Sequence, residues 1–249
     1  MRCKSKRGYF MRFILACFVS CVLNPCLHAE HLIIGTLAYD PPFETAADQK
    51  GDYFGLEMDL MNEICRRLQD ECTYKPLTFE QLMGETLSGA IDLAIAGITI
   101  TEQRRLSYLF SLPYLKSEAR LLAKSVSPIN SLSDINGKRL GVEAATLFKG
   151  LAEEKFTNVK IIEYLTQTDL FQGIADDKVD MIIIDSVSAK YWVTNSSSIL
   201  KIVSDPIPIG EGYGIMANVS KTALINRINR KLIDMENDGT YLSIYSRYF

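Results

Sequence analysis

Histidine is nearly missing from this chain: two in 249 residues, His28 and His31. That scarcity removes whole classes of chemistry. No Ser-His-Asp arrangement can be assembled around His31 at the start of the mature chain. No zinc site can be completed from one histidine and the cysteines Cys65 and Cys72. Long apolar runs are missing too: none after residue 30 reaches the roughly 18–20 residues that span a bilayer. Positive charge is also short. The formal net charge is −3, and it falls to −8 without residues 1–29, which carry Arg2, Lys4, Lys6, Arg7 and Arg12 and no acid. An acidic surface argues against nucleic acid and against anionic membrane as partners.

What is present begins with an export signal. The basic start is followed by an apolar run over 13–23, too short to span a membrane, and by Leu27-His28-Ala29, whose small last residue suits a signal peptidase. A secretory signal peptide over 1–29 is expected, with Met11 an alternative start. Cys17, Cys21 and Cys26 lack the leucine-led small-residue run of a lipoprotein signal, so a lipid anchor is not expected. The full chain is 47% hydrophobic and 23% charged, the composition of a globular chain with one large domain or two smaller ones. Of six cysteines, four fall in or before the signal run, leaving Cys65 and Cys72. An even pair in an exported chain suggests one disulfide; the spacing is wrong for a redox pair.

The mature chain alternates strand-like and helix-like segments. Strands are expected at 31–36, 72–76 and 91–96, with helical faces between them at 56–69 and 79–87. Helix-length connections imply parallel pairing, hence an α/β sheet. Tyr39-Asp40-Pro41-Pro42-Phe43 reads as a stiff loop, since two prolines exclude both helix and central strand. A polar turn follows at 48–52. A second alternation runs from Lys138-Arg139-Leu140-Gly141-Val142-Glu143 through helices at 146–156, 169–175 and 186–193 and strands at 159–164 and 181–185. Residues 199–208 read as irregular, and 221–236 as a long helix. Extended polar segments at 114–123 and 210–215 are candidate crossings between the halves.

One stretch stands out: Ala96-Gly97-Ile98-Thr99-Ile100-Thr101-Glu102-Gln103-Arg104. A glycine admits close backbone approach, Thr101 is a helix N-cap candidate, and Arg104 falls on the first turn. Strand end, open N–H groups and a guanidinium together suit a carboxylate. An ordinary strand-to-helix turn with a solvated arginine has the same local signature.

Read together, these residues resemble the periplasmic solute-binding proteins of polar amino-acid ABC transporters, among them the lysine/arginine/ornithine, histidine and arginine binders. The likeness covers residues 31–249. It is carried by Asp40-Pro41-Pro42-Phe43, Gly55-Leu56-Glu57-Met58-Asp59-Leu60, the Cys65 to Cys72 loop, the 96–104 stretch, Gly137-Lys138-Arg139-Leu140-Gly141-Val142 and Asp238-Gly239-Thr240-Tyr241 with Tyr248-Phe249. The resemblance implies the two-lobed type II periplasmic-binding-protein fold, each lobe a mixed, mostly parallel sheet flanked by helices. Lobe 1 would comprise 30–116 and 214–249, lobe 2 would comprise 120–209, and the hinges would lie at 117–119 and 210–213. Carried over, Arg104 would pair with a ligand α-carboxylate, helped by Ala96, Gly97 and Thr99 and, from lobe 2, by Thr146. Asp185 would accept the α-ammonium. Such a protein is a monomer in the periplasm, binds a free amino acid, docks on a membrane permease and needs no cofactor or metal.

The side-chain end departs from the family. Asp40 and Leu56 stand where basic-amino-acid binders usually place aromatics, Leu37 where an acid is common, and Glu143 where an apolar residue is common. Tyr39, one residue from Asp40, could compensate by a shift of the loop. Asp40 and Glu143 could form an acidic end for a guanidinium or ammonium, which implies a basic ligand, arginine first. Both could equally face solvent at the rim, and Glu211 is a hinge-polarity candidate. Other readings remain: a binder of a neutral polar amino acid, a cyclohexadienyl-dehydratase-like enzyme with Glu143 moving a proton, and a sensory module.

Overall fold

A computed structural model describes residues 29–47, 52–196 and 198–249. The signal peptide expected over 1–29 lies outside the described residues but for Ala29, as does the polar turn at 48–52 but for Asp52. In chain order the elements are β1 (His31–Thr36), β2 (Tyr39–Asp40), β3 (Glu44–Ala46), β4 (Tyr53–Phe54), α1 (Leu56–Leu68), β5 (Glu71–Pro76), α2 (Phe79–Ser88), β6 (Leu93–Ala94), α3 (Glu102–Arg105), β7 (Tyr108–Phe110) and β8 (Glu118–Lys124). There follow β9 (Arg139–Glu143), α4 (Phe148–Lys155), β10 (Lys160–Tyr164), α5 (Gln167–Ala175), β11 (Met181–Asp185), α6 (Ser186–Asn195), β12 (Leu200–Ile202), β13 (Ile207–Pro208), β14 (Met216–Asn218), α7 (Thr222–Asn237) and α8 (Thr240–Tyr245).

These elements make two lobes. The first is built on a sheet of order β5-β1-β6-β14-β7, parallel at β5-β1-β6 and antiparallel where β14 joins β6 and β7. The second is built on β10-β9-β11-β8-β12, with β13 also on β8; β10-β9-β11 are parallel and the pairs to β8 antiparallel. Each core follows from the apolar spacing. The buried face of α1 is Leu56, Leu60, Met61, Ile64, Cys65 and Leu68, and it packs with Leu224, Ile225, Ile228, Leu232 and Met235 of α7. Strand β11 is buried at every position, because β9 and β8 flank it in the sheet and helices cover it. Cys65 on α1 and Cys72 on β5 are joined by a disulfide, which ties the helix end to the outer strand. No helix among the described residues is long and apolar enough to cross a membrane.

The chain leaves the first sheet after β7 and returns to it at β14. The two crossings run side by side: Tyr114 N donates to Tyr213 O at 2.9 Å, Tyr213 N to Leu115 O at 2.8 Å, and Gly212 N to Ser117 Oγ at 3.1 Å. Gly210 has φ +55°, and a Cβ there would fall 2.3 Å from Ile100 O. Only glycine lets the return crossing lie against the strand end that carries Thr99.

Several elements differ from the sequence reading. The expected stiff loop at 39–43 is the first arm of a small three-stranded sheet, with Asp40 opposite Glu44 and the prolines in the turn. The region 199–208 is not irregular: β12 and β13 pair with β8. Both runs are too short to show a period, and a long-range partner makes them strands. The helix expected from residue 146 starts at Phe148, and that expected from 169 starts at Gln167, capped by the Thr166 side chain.

Candidate functional site

The 96–104 stretch folds as its composition suggests. After β6 the backbone turns at Gly97, φ +54°, and Thr101 caps α3 by accepting from Arg104 N at 3.1 Å. Arg104 is 7% exposed. Its Nη1 donates to Thr99 O at 2.9 Å, and its guanidinium lies 5.4 Å from the Phe79 ring centre. No carboxylate among the described residues is within ion-pairing distance of it. Burial depresses its pKa to about 10, with the Asp185 charge pulling the other way.

Facing it is Asp185, at the end of β11. A Cβ on Gly97 would come within 3.7 Å of Asp185 Oδ2, so the two lobes meet here. Asp185 accepts a short hydrogen bond from the Tyr213 hydroxyl on the return crossing. Burial and then the Asp40 charge push its carboxyl well above the ordinary range.

Glu143 closes β9 and is 6% exposed, with no hydrogen bond or ion pair to its carboxyl group among the described residues. Burial first, then Asp40 and Asp185, raise its pKa well above the usual carboxylate value. It sits in the wall of a cavity of ≈ 260 Å³ between the lobes. Leu37, Tyr39, Leu77 and Gln81 line one side, and Thr166 and Gln167 the other.

Asp40 is buried, at 3% exposure. Its Oδ1 accepts from Gln167 Nε2 and from Ser188 Oγ, both at 2.7 Å and both from the second lobe. Burial raises it to about 6 against those two bonds. Against Gly97 lies a pair of acids whose burial the sequence reading did not foresee. Glu57 Oε1 accepts from Gly97 N at 2.8 Å and from the Tyr114 hydroxyl at 2.5 Å. Burial lifts Glu57 to about 7 and Glu44 well above its usual value, the latter also through Glu57 itself.

Other expected residues are placed differently. The Gly97 N–H is held by Glu57, so at this residue the group free for a ligand is the carbonyl. The Thr146 hydroxyl donates to Glu143 O at 2.7 Å and accepts from Phe148 N, the first residue of α4, at 3.4 Å, so it shapes the turn into that helix. Leu56 is 3% exposed in the first-lobe core and does not line the cavity, nor does Ala96, which is core at 2%. Tyr39 reaches the cavity wall and stands edge-on to Trp192, 6.1 Å between ring centres. Glu211 pairs with Arg105 at 2.9 Å on the surface. Gln167 and Ser188 went unread in the sequence, because nothing near them marks a partner more than a hundred residues away.

Comparison with known proteins follows this geometry. The chain is 26% identical over 241 residues to ABC transporter arginine-binding protein 1 of Escherichia coli (strain K12), covering 96% of this chain and 98% of that one. It superposes on the crystal structure of an arginine third-transport-system periplasmic binding protein from Legionella pneumophila with TM-score 0.85 and 36% identity, over 89% of this chain and 100% of that one. An ancestral arginine-binding protein bound to glutamine matches with TM-score 0.82 and 32% identity, over 89% and 99%. Residues 32–249 match the profile of the bacterial extracellular solute-binding proteins, family 3, and the chain belongs to that family.

Proposed function

We propose that the chain is the extracytoplasmic receptor of an amino-acid ABC importer, and that it binds a basic amino acid, arginine first, between its lobes. One observation carries this reading. Arg104 and Glu143 are buried ionisable groups of opposite type, both within reach of the Asp185 charge, and neither has an ion pair among the described residues. A buried charge without a partner is costly, so each is matched by what enters. Arg104 takes the α-carboxylate with its free guanidinium edge, beside Thr99. Asp185 and the Gly97 carbonyl take the α-ammonium. Glu143, at the cavity wall past Leu37 and Tyr39, takes a cationic side-chain end.

The arginine-binding relatives support the same ligand. The paired crossings near 117–119 and 210–213 serve as the hinge between lobe 1 (30–116 and 214–249) and lobe 2 (120–209). The receptor works as a periplasmic monomer, hands its ligand to a membrane permease and catalyses nothing. Calorimetry with arginine, lysine, ornithine, citrulline and glutamine tests this. Arginine is expected to bind tightest; citrulline binding as tightly would overturn the cationic reading. Turnover of prephenate that is lost in Glu143→Gln would overturn the transport reading.

A further inference from the structure

Asp40 has a second role that its place in the acidic cleft conceals. Its Oδ1 is filled by two bonds of 2.7 Å, from Gln167 Nε2 at the start of α5 and from Ser188 Oγ in α6. Asp40 belongs to the first lobe and both donors to the second. Outside the crossings, these are the side-chain hydrogen bonds that join the two lobes directly among the described residues. All three residues are buried, Ser188 completely. Asp40 Oδ1, Gln167 Nε2 and Ser188 Oγ are buried polar atoms that have these partners only while the seam is shut, although Gln167 Oε1 stays without one. The neighbouring residue extends it: Tyr39 meets Trp192 of α6, and Trp192 lies 4.4 Å from Phe171 of α5 between ring centres. These contacts join β2 to helices α5 and α6 of the opposing lobe at the edge of the cavity.

We propose that Asp40 is a positioning residue: with Ser188 and Gln167 it clasps the lobes shut, and so sets the closed fraction of the protein whichever amino acid lies between them. A ligand that needs the closed form binds with an apparent affinity reduced by the fraction of molecules that are closed. A looser clasp weakens every ligand by one factor, whereas a side-chain reader weakens only the ligand it reads. The inference takes the amino-acid receptor reading as its basis, yet the closed fraction can be measured without any ligand.

The test uses the full mature chain and the variants Ser188→Ala, Gln167→Ala, Asp40→Ala and Asp40→Asn. The asparagine keeps an Oδ1 acceptor for both donors. Small-angle scattering of the ligand-free proteins, with emission from Trp192, the single tryptophan of the chain, reads closure. Ser188→Ala and Asp40→Ala are expected to be more open than wild type, and Asp40→Asn to match it. Calorimetry with arginine and with glutamine is expected to show both dissociation constants raised about three- to tenfold in Ser188→Ala, the loss of one hydrogen bond, with their ratio unchanged. Unfolding midpoints of the ligand-free variants identify any that fail to fold, and Gln167→Ala then carries the same comparison. Loss for arginine alone, or ligand-free scattering identical in wild type, Ser188→Ala, Gln167→Ala and Asp40→Ala, would overturn the clasp. Failure of both amino acids to bind wild type would overturn the receptor reading, and the scattering would still decide the clasp.

Discussion

The two ends of the cleft are built in different ways. The Arg104 end is local: Gly97, Thr99, Thr101 and Arg104 lie within eight residues, and strand end, cap and helix turn bring them together. The side-chain end is assembled from afar. Leu37 comes from the link between β1 and β2, Tyr39 from β2, Gln81 from α2, Glu143 from β9 and Gln167 from α5. In the proposed reading, the local end meets the part shared by all amino acids and the assembled end what differs between them. Recognition of the common part can be held in one motif, while selection among side chains depends on how two lobes meet.

Variants can break that division. Arg104→Ala should have the largest effect, weakening arginine and glutamine alike by about 2–5 kcal/mol, because it strands a carboxylate in a dry cleft. Calorimetry showing an unchanged dissociation constant for either would remove Arg104 from the site. Glu143→Gln should cost arginine about 2–3 kcal/mol and leave glutamine within about 0.5 kcal/mol, since only a cationic end needs the charge. Equal losses would place Glu143 at the common end.

Acidity sharpens the same contrast with opposite signs. In the ligand-free protein Glu57 titrates near 7 and Asp40 near 6, both above their ordinary values. The folded state then binds more protons than the unfolded state between about pH 4 and about pH 7. That stability is fully present at the acid end of the window and is lost as pH rises through the folded values, on the order of 1–3 kcal/mol. Ligand-free unfolding midpoints should rise on acidification from about pH 8 to about pH 5. Arginine affinity should fall over the same interval, since Glu143, held high by burial, must lose its proton to meet a cation. Affinity for arginine that is flat with pH would sink that assignment.

Tyr213→Phe is the smallest case. It removes the hydroxyl that donates to Asp185 and should weaken both ligands equally by about 1 kcal/mol. A loss confined to arginine, measured by calorimetry, would move Asp185 to the selective end.

Legibility followed the same line. The helices α1 and α7 could be read because their buried faces repeat within a few residues. The cap at Thr101 and the buried run of β11 could be read for similar reasons. The strands β2, β12 and β13 could not, being two or three residues long and made by their partners. Among the acids, sequence singled out Asp40, Glu143 and Asp185 but could not tell their circumstances apart. One is filled by donors from the opposite lobe, one is without a partner among the described residues, and one is held by a tyrosine.

The sequence by itself determined the alternation of elements, the histidine-poor and acidic character, and the motif around Arg104. These rest on neighbours along the chain. The tertiary structure alone decided that Glu57 and Glu44 are buried as a pair, that Asp40 bonds across the seam, and that Glu143 faces the cavity. A carboxyl group's charge and role are set by the water it loses and the donors it gains. For these residues both come from parts of the chain far away in sequence.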